Sequence, residues 1–264
     1  MQEITMDECR QLQLDLLRHF DAFCRKNGLK YSIGEGSLIG AMRHKGFIPW
    51  DDDIDVLMVR DEYEKFCSLY KDEAYPLITA KTNSDWFERI ARIEDSRTFL
   101  FDAKTMEPWP NGLWIAIFPM DNYPDEEWKA KWFDFKNKVY AHICCAKHSD
   151  KIGKRLITTL MHYFIPKYFK CGHVEERFDK LAQKYNKVKT KRRGQVVAWW
   201  AKRPFVCSSS AFDDYIDVPF EDMQVMVIAG YDEYLRCQYG DWTQLPPEGQ
   251  RVFKHDYIAY WKDR

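Results

Sequence analysis

Four aspartates crowd into five positions of the segment "GFIPWDDDIDVLM", residues 46 to 58: Asp51, Asp52, Asp53 and Asp55. Carboxylates that close raise one another's proton affinity unless a cation or a basic ligand lies between them, so the cluster implies a bound ion. Read as a strand, the segment sends Asp53, Asp55 and Leu57 to one face and Ile54, Val56 and Met58 to the other. Two carboxylates then stand about 7 Å apart on one side, a spacing from which both can reach one or two divalent cations. Hard cations such as Mg²⁺ or Mn²⁺ take oxygen ligands and keep part of their shell for substrate phosphates. Upstream, "GEGS" at 34 to 37 leads into a helical pattern. Such a turn offers backbone N–H groups and a positive dipole end, which makes Gly36 and Ser37 candidates for holding phosphate. Arg43, His44 and Lys45 lie between the two halves, and Arg43 and Lys45 suit the remaining phosphate oxygens. The constellation is that of metal-assisted phosphoryl or nucleotidyl transfer. A calcium loop competes with it, because Asp51, Asp53, Asp55 and Glu62 fall at that loop's first, third, fifth and twelfth places. Val56, however, stands where its sharp turn requires glycine, and "GFIPW" cannot be its incoming helix.

These residues need elements to hold them. Thr5 and Glu8 form a capping-box pair, and Leu12, Leu16, Leu17, Phe20, Phe23 and Cys24 recur at helical spacing until Gly28, predicting a first helix. "LKYSI" reads as a short strand, the helix after "GEGS" begins at Ser37, "DIDVLMV" is the next strand, and a helix runs from Asp61 to about Asp72. Further strands are expected at "PLITA", "ERIARIED", "RTFLFD" and "GLWIAIF", the last central because it is continuously apolar. A long helix over 124 to 148 follows, then helices around 152 to 164, 173 to 188, 230 to 239 and 250 to 261. This is an α+β layout.

"GEGSLIGAMRHKGFIPWDDDIDVLM" resembles the signature of the LicD family of phosphorylcholine transferases, which includes the fukutin-related proteins and belongs to the nucleotidyltransferase (polymerase-β-like) superfamily. The likeness continues through "GLWIAIFPMDNYP" and "YDEYLRCQYGDWTQLPPEGQR" and so covers nearly the whole chain. It implies a nucleotidyltransferase-like mixed sheet with flanking helices over 1–124, and a mostly helical region over 125–264 packed on it. It also implies a reaction, the transfer of phosphocholine or a related phospho-headgroup from CDP-choline or a similar cytidine-diphosphate donor to a sugar hydroxyl, with CMP leaving. The acceptor would be a glycan or a lipid-linked oligosaccharide, and no nucleic acid is expected. By the same resemblance Asp53 and Asp55 bind Mg²⁺ or Mn²⁺, Asp51 is a further acid of the motif, and Gly36 with Ser37 forms the phosphate turn. One position departs from the pattern: Ala116 stands where the family carries a third carboxylate. Either Ala116 disables turnover, or another acid such as Asp121 or Asp102 replaces the missing one, or the chain is a binding-only relative. A nucleotidyltransferase acting on a small molecule is the other enzymatic reading.

A choline headgroup calls for aromatic faces, and Trp50, Trp109, Trp114, Trp199 and Trp200 are candidates. Arg89, Arg92 and Arg97 are candidates for the donor's pyrophosphate, and Arg251 in the C-terminal motif for phosphate; packing and surface ion pairing are the alternatives. His44 and His255 read as structural histidines.

The 264 residues, 45% hydrophobic, suffice for a large core. Eight scattered cysteines without a paired spacing point to neither zinc nor a disulfide framework. The polar N-terminus is not a secretory signal, and the apolar stretch at 156 to 169 falls short of the roughly 20 residues of a membrane span. A cytoplasmic protein is expected. The net charge of −1 conceals sixteen Lys and Arg against four acids between Lys147 and Arg203. That segment is either a solvated helical face or a contact with an anionic partner, such as the inner face of the membrane.

Overall fold

The computed structural model describes residues 2–83, 89–109, 111–148, 174–197, 205–253 and 257–262. It is an α+β fold whose chain forms two compact units, one of Met1–Ile78, Ala91–Pro119 and Ser210–Arg264, the other of Thr79–Ile90 and Met120–Ser209.

In the first unit, strand β1 (Glu3–Ile4) leads into helix α1 (Met6–Lys26). Thr5 caps it: its hydroxyl accepts from the Glu8 N–H while the Glu8 carboxylate accepts from the Thr5 N–H, so two orphan donors are satisfied. Leu12, Leu16, Leu17, Phe20 and Cys24 bury the apolar face, and Phe20 meets Tyr31 and Phe66 edge-on. Burying each such side chain contributes about 1.5–3 kcal/mol. Strand β2 (Ser32–Ile33), helix α2 (Glu35–His44), strand β3 (Asp55–Val59) and helix α3 (Arg60–Leu69) follow. Strands β4 (Leu77–Ile78), β5 (Ala91–Glu94), β6 (Thr98–Asp102) and β7 (Trp114–Tyr123) come next, and the sheet order is β2-β3-β7-β5-β4. As its unbroken apolar run requires, β7 is central and almost wholly buried. Helix α2 starts at Glu35, two residues before the expected Ser37, because Gly34 serves as the N-cap.

The second unit contains the last residues of β7, helix α4 (Glu127–His148), helix α5 (Val174–Ala182) and strands β8 (Arg192–Gly194) and β9 (Val206–Ser208). Asp121, Asn122 and Tyr123 pair with β8, which pairs in turn with β9. Ala141, Ile143, Cys144 and Phe178 form its core. The helix expected at 152 to 164 lies outside the described residues.

The chain returns to the first unit with the hairpin of β10 (Tyr215–Phe220) and β11 (Met223–Ile228), then helix α6 (Tyr231–Tyr239) and strand β12 (Tyr257–Trp261). Here the structure corrects the expected helix at 250 to 261. "YIAYW" is a strand because β1 and β6 flank it on both sides, and Tyr260 packs on Phe99 and Phe101. No sequence signal near residue 257 reports partners at residues 3 and 100.

Candidate active site

The acidic loop is fastened from three directions within the first unit. From α1, the Arg10 guanidinium donates to the carbonyls of Pro49 (2.8 Å) and Asp51 (2.9 Å), and the Gln13 amide donates to the carbonyl of Asp52 (2.9 Å). From β12, the Tyr257 hydroxyl donates to that same Asp52 carbonyl (3.2 Å). From the tip of the β10–β11 hairpin, Glu221, in the left-handed region (φ 51°), donates its N–H to the Lys45 carbonyl (2.7 Å) and accepts from the Phe47 N–H (2.9 Å). The Glu221 carboxylate packs directly against Gly46, where any Cβ would force it to move.

Held this way, Asp51, Asp52 and Asp53 each offer an oxygen within 4.8 Å of the others, with Asp51 and Asp52 buried. Three hard oxygen donors this close and partly desolvated suit a divalent cation of the Mg²⁺ type. Asp55 follows on β3 and is not one of that trio. Its backbone N–H donates to the Ser37 hydroxyl (3.0 Å), and Gly34 donates to the Asp55 carbonyl (2.8 Å), so the glycine turn and the acidic strand are stitched together. Gly36 lies so close to Asp51 that a Cβ would stand 3.3 Å from its Cγ and closer still to Oδ2. The acids therefore sit against the first turn of α2, whose N–H groups precede the intrahelical ladder.

The other expected residues divide. Arg43 donates to the carbonyls of Trp242 (3.0 Å) and Gln244 (3.2 Å) as well as to His44. Desolvation and the neighbouring Arg43 charge hold the His44 pKa below its ordinary value. Lys45 is exposed in the left-handed C-cap of α2. Arg251 donates to the Pro246 carbonyl and lies over the Trp50 ring at 5.5 Å, beside the acidic loop. Arg97 is bidentate to Asp95, and Arg89 belongs to the second unit. Trp199, Trp200 and His255 lie outside the described residues.

Ala116 is buried on β7 beside the acidic segment, its N–H donating to the Ile54 carbonyl (3.0 Å). The register pairs it with Arg92 on β5, and Trp114 with Glu94. By alternation these four share one face of the sheet, and the Arg92 guanidinium covers the Trp114 ring at 4.4 Å. Trp109, Trp114 and Tyr257 form a three-ring cluster with centroids 5.8–5.9 Å apart, joined to the acidic loop through the Tyr257 hydroxyl. Neither acid weighed as a replacement at 116 is idle: Asp102 caps a turn through the N–H groups of Lys104 and Thr105, and Asp121, in the second unit, accepts from the Asn186 amide.

Several residues escape a sequence reading. Glu35, in the left-handed region (φ 46°), receives the Tyr234 hydroxyl (2.8 Å), the Gln238 amide and the Tyr239 hydroxyl (2.7 Å) from α6. Desolvation first, then the Glu35, Asp55 and Asp51 charges, push the Tyr239 phenol up. Glu94 is buried, and desolvation raises its pKa from the ordinary 4.5 to about 7, partly offset by the Gly112 N–H and by the Arg92 and Lys262 charges. The one available signal was Gln13, a polar residue on the apolar stripe of α1; the others depend on partners remote in sequence.

Residues 28–150 match the family described as "LicD/FKTN/FKRP, nucleotidyltransferase domain". The lipopolysaccharide cholinephosphotransferase LicD of Haemophilus influenzae is 31% identical over 277 aligned positions, covering 98% of this chain and 99% of that protein. Uncharacterized proteins of Rickettsia typhi and Rickettsia prowazekii are 38% and 46% identical over 63 and 48 residues, 23% and 18% of this chain and 20% and 18% of theirs.

Proposed function

Because the chain belongs to the LicD family, we propose that it transfers phosphocholine from CDP-choline to a sugar hydroxyl of a lipopolysaccharide or a related surface glycan. The acceptor hydroxyl attacks the choline-bearing phosphorus and releases its proton to solvent, the bond from that phosphorus to the CMP oxygen breaks, and CMP leaves. Asp51, Asp52 and Asp53, with Asp55 beside them, are the residues that would hold Mg²⁺ or Mn²⁺. The cation supplies charge neutralisation for the diphosphate and the departing CMP. The N–H groups of Gly36 and Ser37 orient phosphate oxygens at the start of α2. Trp109 and Tyr257 present ring faces to the quaternary ammonium, and Arg92, with Arg251 at the loop, adds positive charge for the phosphates. Such transfer needs positioning and electrostatics more than covalent help from the protein.

The observation that supports this reading is the packing of Asp51 against Gly36, which brings the acidic cluster up to the glycine turn. Phosphorus NMR of the chain with CDP-choline, Mg²⁺ and candidate glycans tests it. A phosphocholine diester and CMP are expected, and Asp53→Asn should abolish both. A nucleotidylated product would instead support the small-molecule nucleotidyltransferase. Ala116 favours a second reading, a relative that binds nucleotide or glycan without turning it over, and bound but uncleaved CDP-choline would establish that.

A further inference from the structure

Helix α4 has two faces. Ala130, Phe133, Asn137, Ala141 and Cys144 are buried, as the helical repeat requires of the side toward the second unit's core. On the opposite side, Trp128, Trp132, Phe135 and Val139 follow one another at i, i+4, i+7 and i+11 and form one narrow stripe. All four are exposed, at 69%, 54%, 56% and 37%, and Trp128 is the most exposed large apolar side chain among the described residues. A solvent-facing helix of ordinary composition would put charges there. The Trp132 and Phe135 rings stack on each other at 5.5 Å, so the stripe is a continuous apolar surface.

Its borders are basic. By helical geometry Lys129 and Lys136 flank the stripe on one side and Lys131 and Lys138 on the other, 100° per residue placing each pair within a quarter turn or so of it. The Lys129 and Lys136 ammonium groups lie over the Trp128 and Trp132 rings at 5.5 and 5.0 Å. On that side a groove between α4 and the turn that ends α5 brings Lys184 and Tyr185 alongside the same tryptophans. Of the two acids of α4, Asp134 accepts from the Tyr123 hydroxyl, back toward the core, and Glu127 stands 3.8 Å from Arg192. Glu126, just before the helix, pairs with Lys129, so Lys131, Lys136 and Lys138 carry most of the border's positive charge.

We propose that this face of α4 lies on an anionic lipid bilayer, with the indole and phenyl rings at the headgroup boundary and the lysines against lipid phosphates. Aromatic residues with a basic border are what an interfacial helix requires, and the apolar and electrostatic contributions act together. A second copy of the chain fits this surface poorly, because a twofold contact would set the two basic borders against each other. The assignment does not depend on the transferase reading.

Flotation of the full chain with vesicles of equal parts phosphatidylglycerol and phosphatidylcholine, against pure phosphatidylcholine, tests it. Binding to the anionic vesicles, weakened by salt, is expected. Two variants carry changes at exposed positions only: Trp128→Ser with Trp132→Ser and Phe135→Ser, and Lys131→Glu with Lys138→Glu. Each should lower the partition coefficient about tenfold or more while the thermal midpoint stays put. Undiminished binding by both variants, equal binding to neutral vesicles, or no binding at all would overturn the proposal. So would a dimer in sedimentation equilibrium that the aromatic variant dissociates.

Discussion

Gly36→Ala separates the site from the fold. A methyl at residue 36 would stand 3.3 Å from Asp51 Cγ and nearer still to Oδ2, so the carboxylate must withdraw by about 1 Å to restore normal contact. Asp51 is a side chain and can swing, which keeps the steric cost near the low end of the ~1–3 kcal/mol of overpacking. Replacing glycine by alanine inside a helix returns about 0.5–1 kcal/mol, and Gly36 has no left-handed backbone to forbid it. The two effects nearly cancel, and the thermal midpoint should move by only a few degrees. Catalysis has no such compensation. A displacement of this size at a positioning group costs about 100-fold in rate, and the Mg²⁺ concentration needed for half-maximal activity should rise. CMP release from CDP-choline across a Mg²⁺ titration, alongside thermal unfolding of the same preparations, provides both readouts. Wild-type turnover with an unshifted Mg²⁺ midpoint would refute the claim that Asp51 and the glycine turn form one site. A collapse of stability would refute the claim that the strain is absorbed by the side chain.

Ala116→Asp puts a carboxylate beside Arg92, its register partner, on the strand next to the acidic segment, and should raise transferase activity by about 100-fold through general-base assistance. No gain, with Asp121→Ala abolishing an existing activity, would reverse that assignment. Glu94 provides a pH signature. Its folded pKa of about 7 exceeds the ordinary 4.5, so between these values the folded state holds more protons than the unfolded one, and stability falls as pH rises through that window. The full effect is about 3 kcal/mol, and Glu94→Gln removes it. Urea denaturation at pH 5 and pH 8 should show the variant gaining by that amount relative to wild type at the higher pH. An identical difference at both pH values would mean that Glu94 is not desolvated.

Local chemistry was legible wherever it depended on neighbours in the chain. The capping box at Thr5, the apolar stripe of α1, the continuous run of β7, the acidic cluster and the glycine turn each follow from residues within a few positions of one another. What the tertiary structure decided is which of these local features meet, and with what. Residue 257 lies in a strand because β1 and β6 border it. Arg43 is bound by carbonyls some 200 positions away. Glu94 shares a face with Ala116 through strand register. A side chain's type and its spacing from its neighbours limit the chemistry it can do. Which partner desolvates, orients or neutralises it is set by contacts closed over long loops, and these leave no periodic trace in the chain.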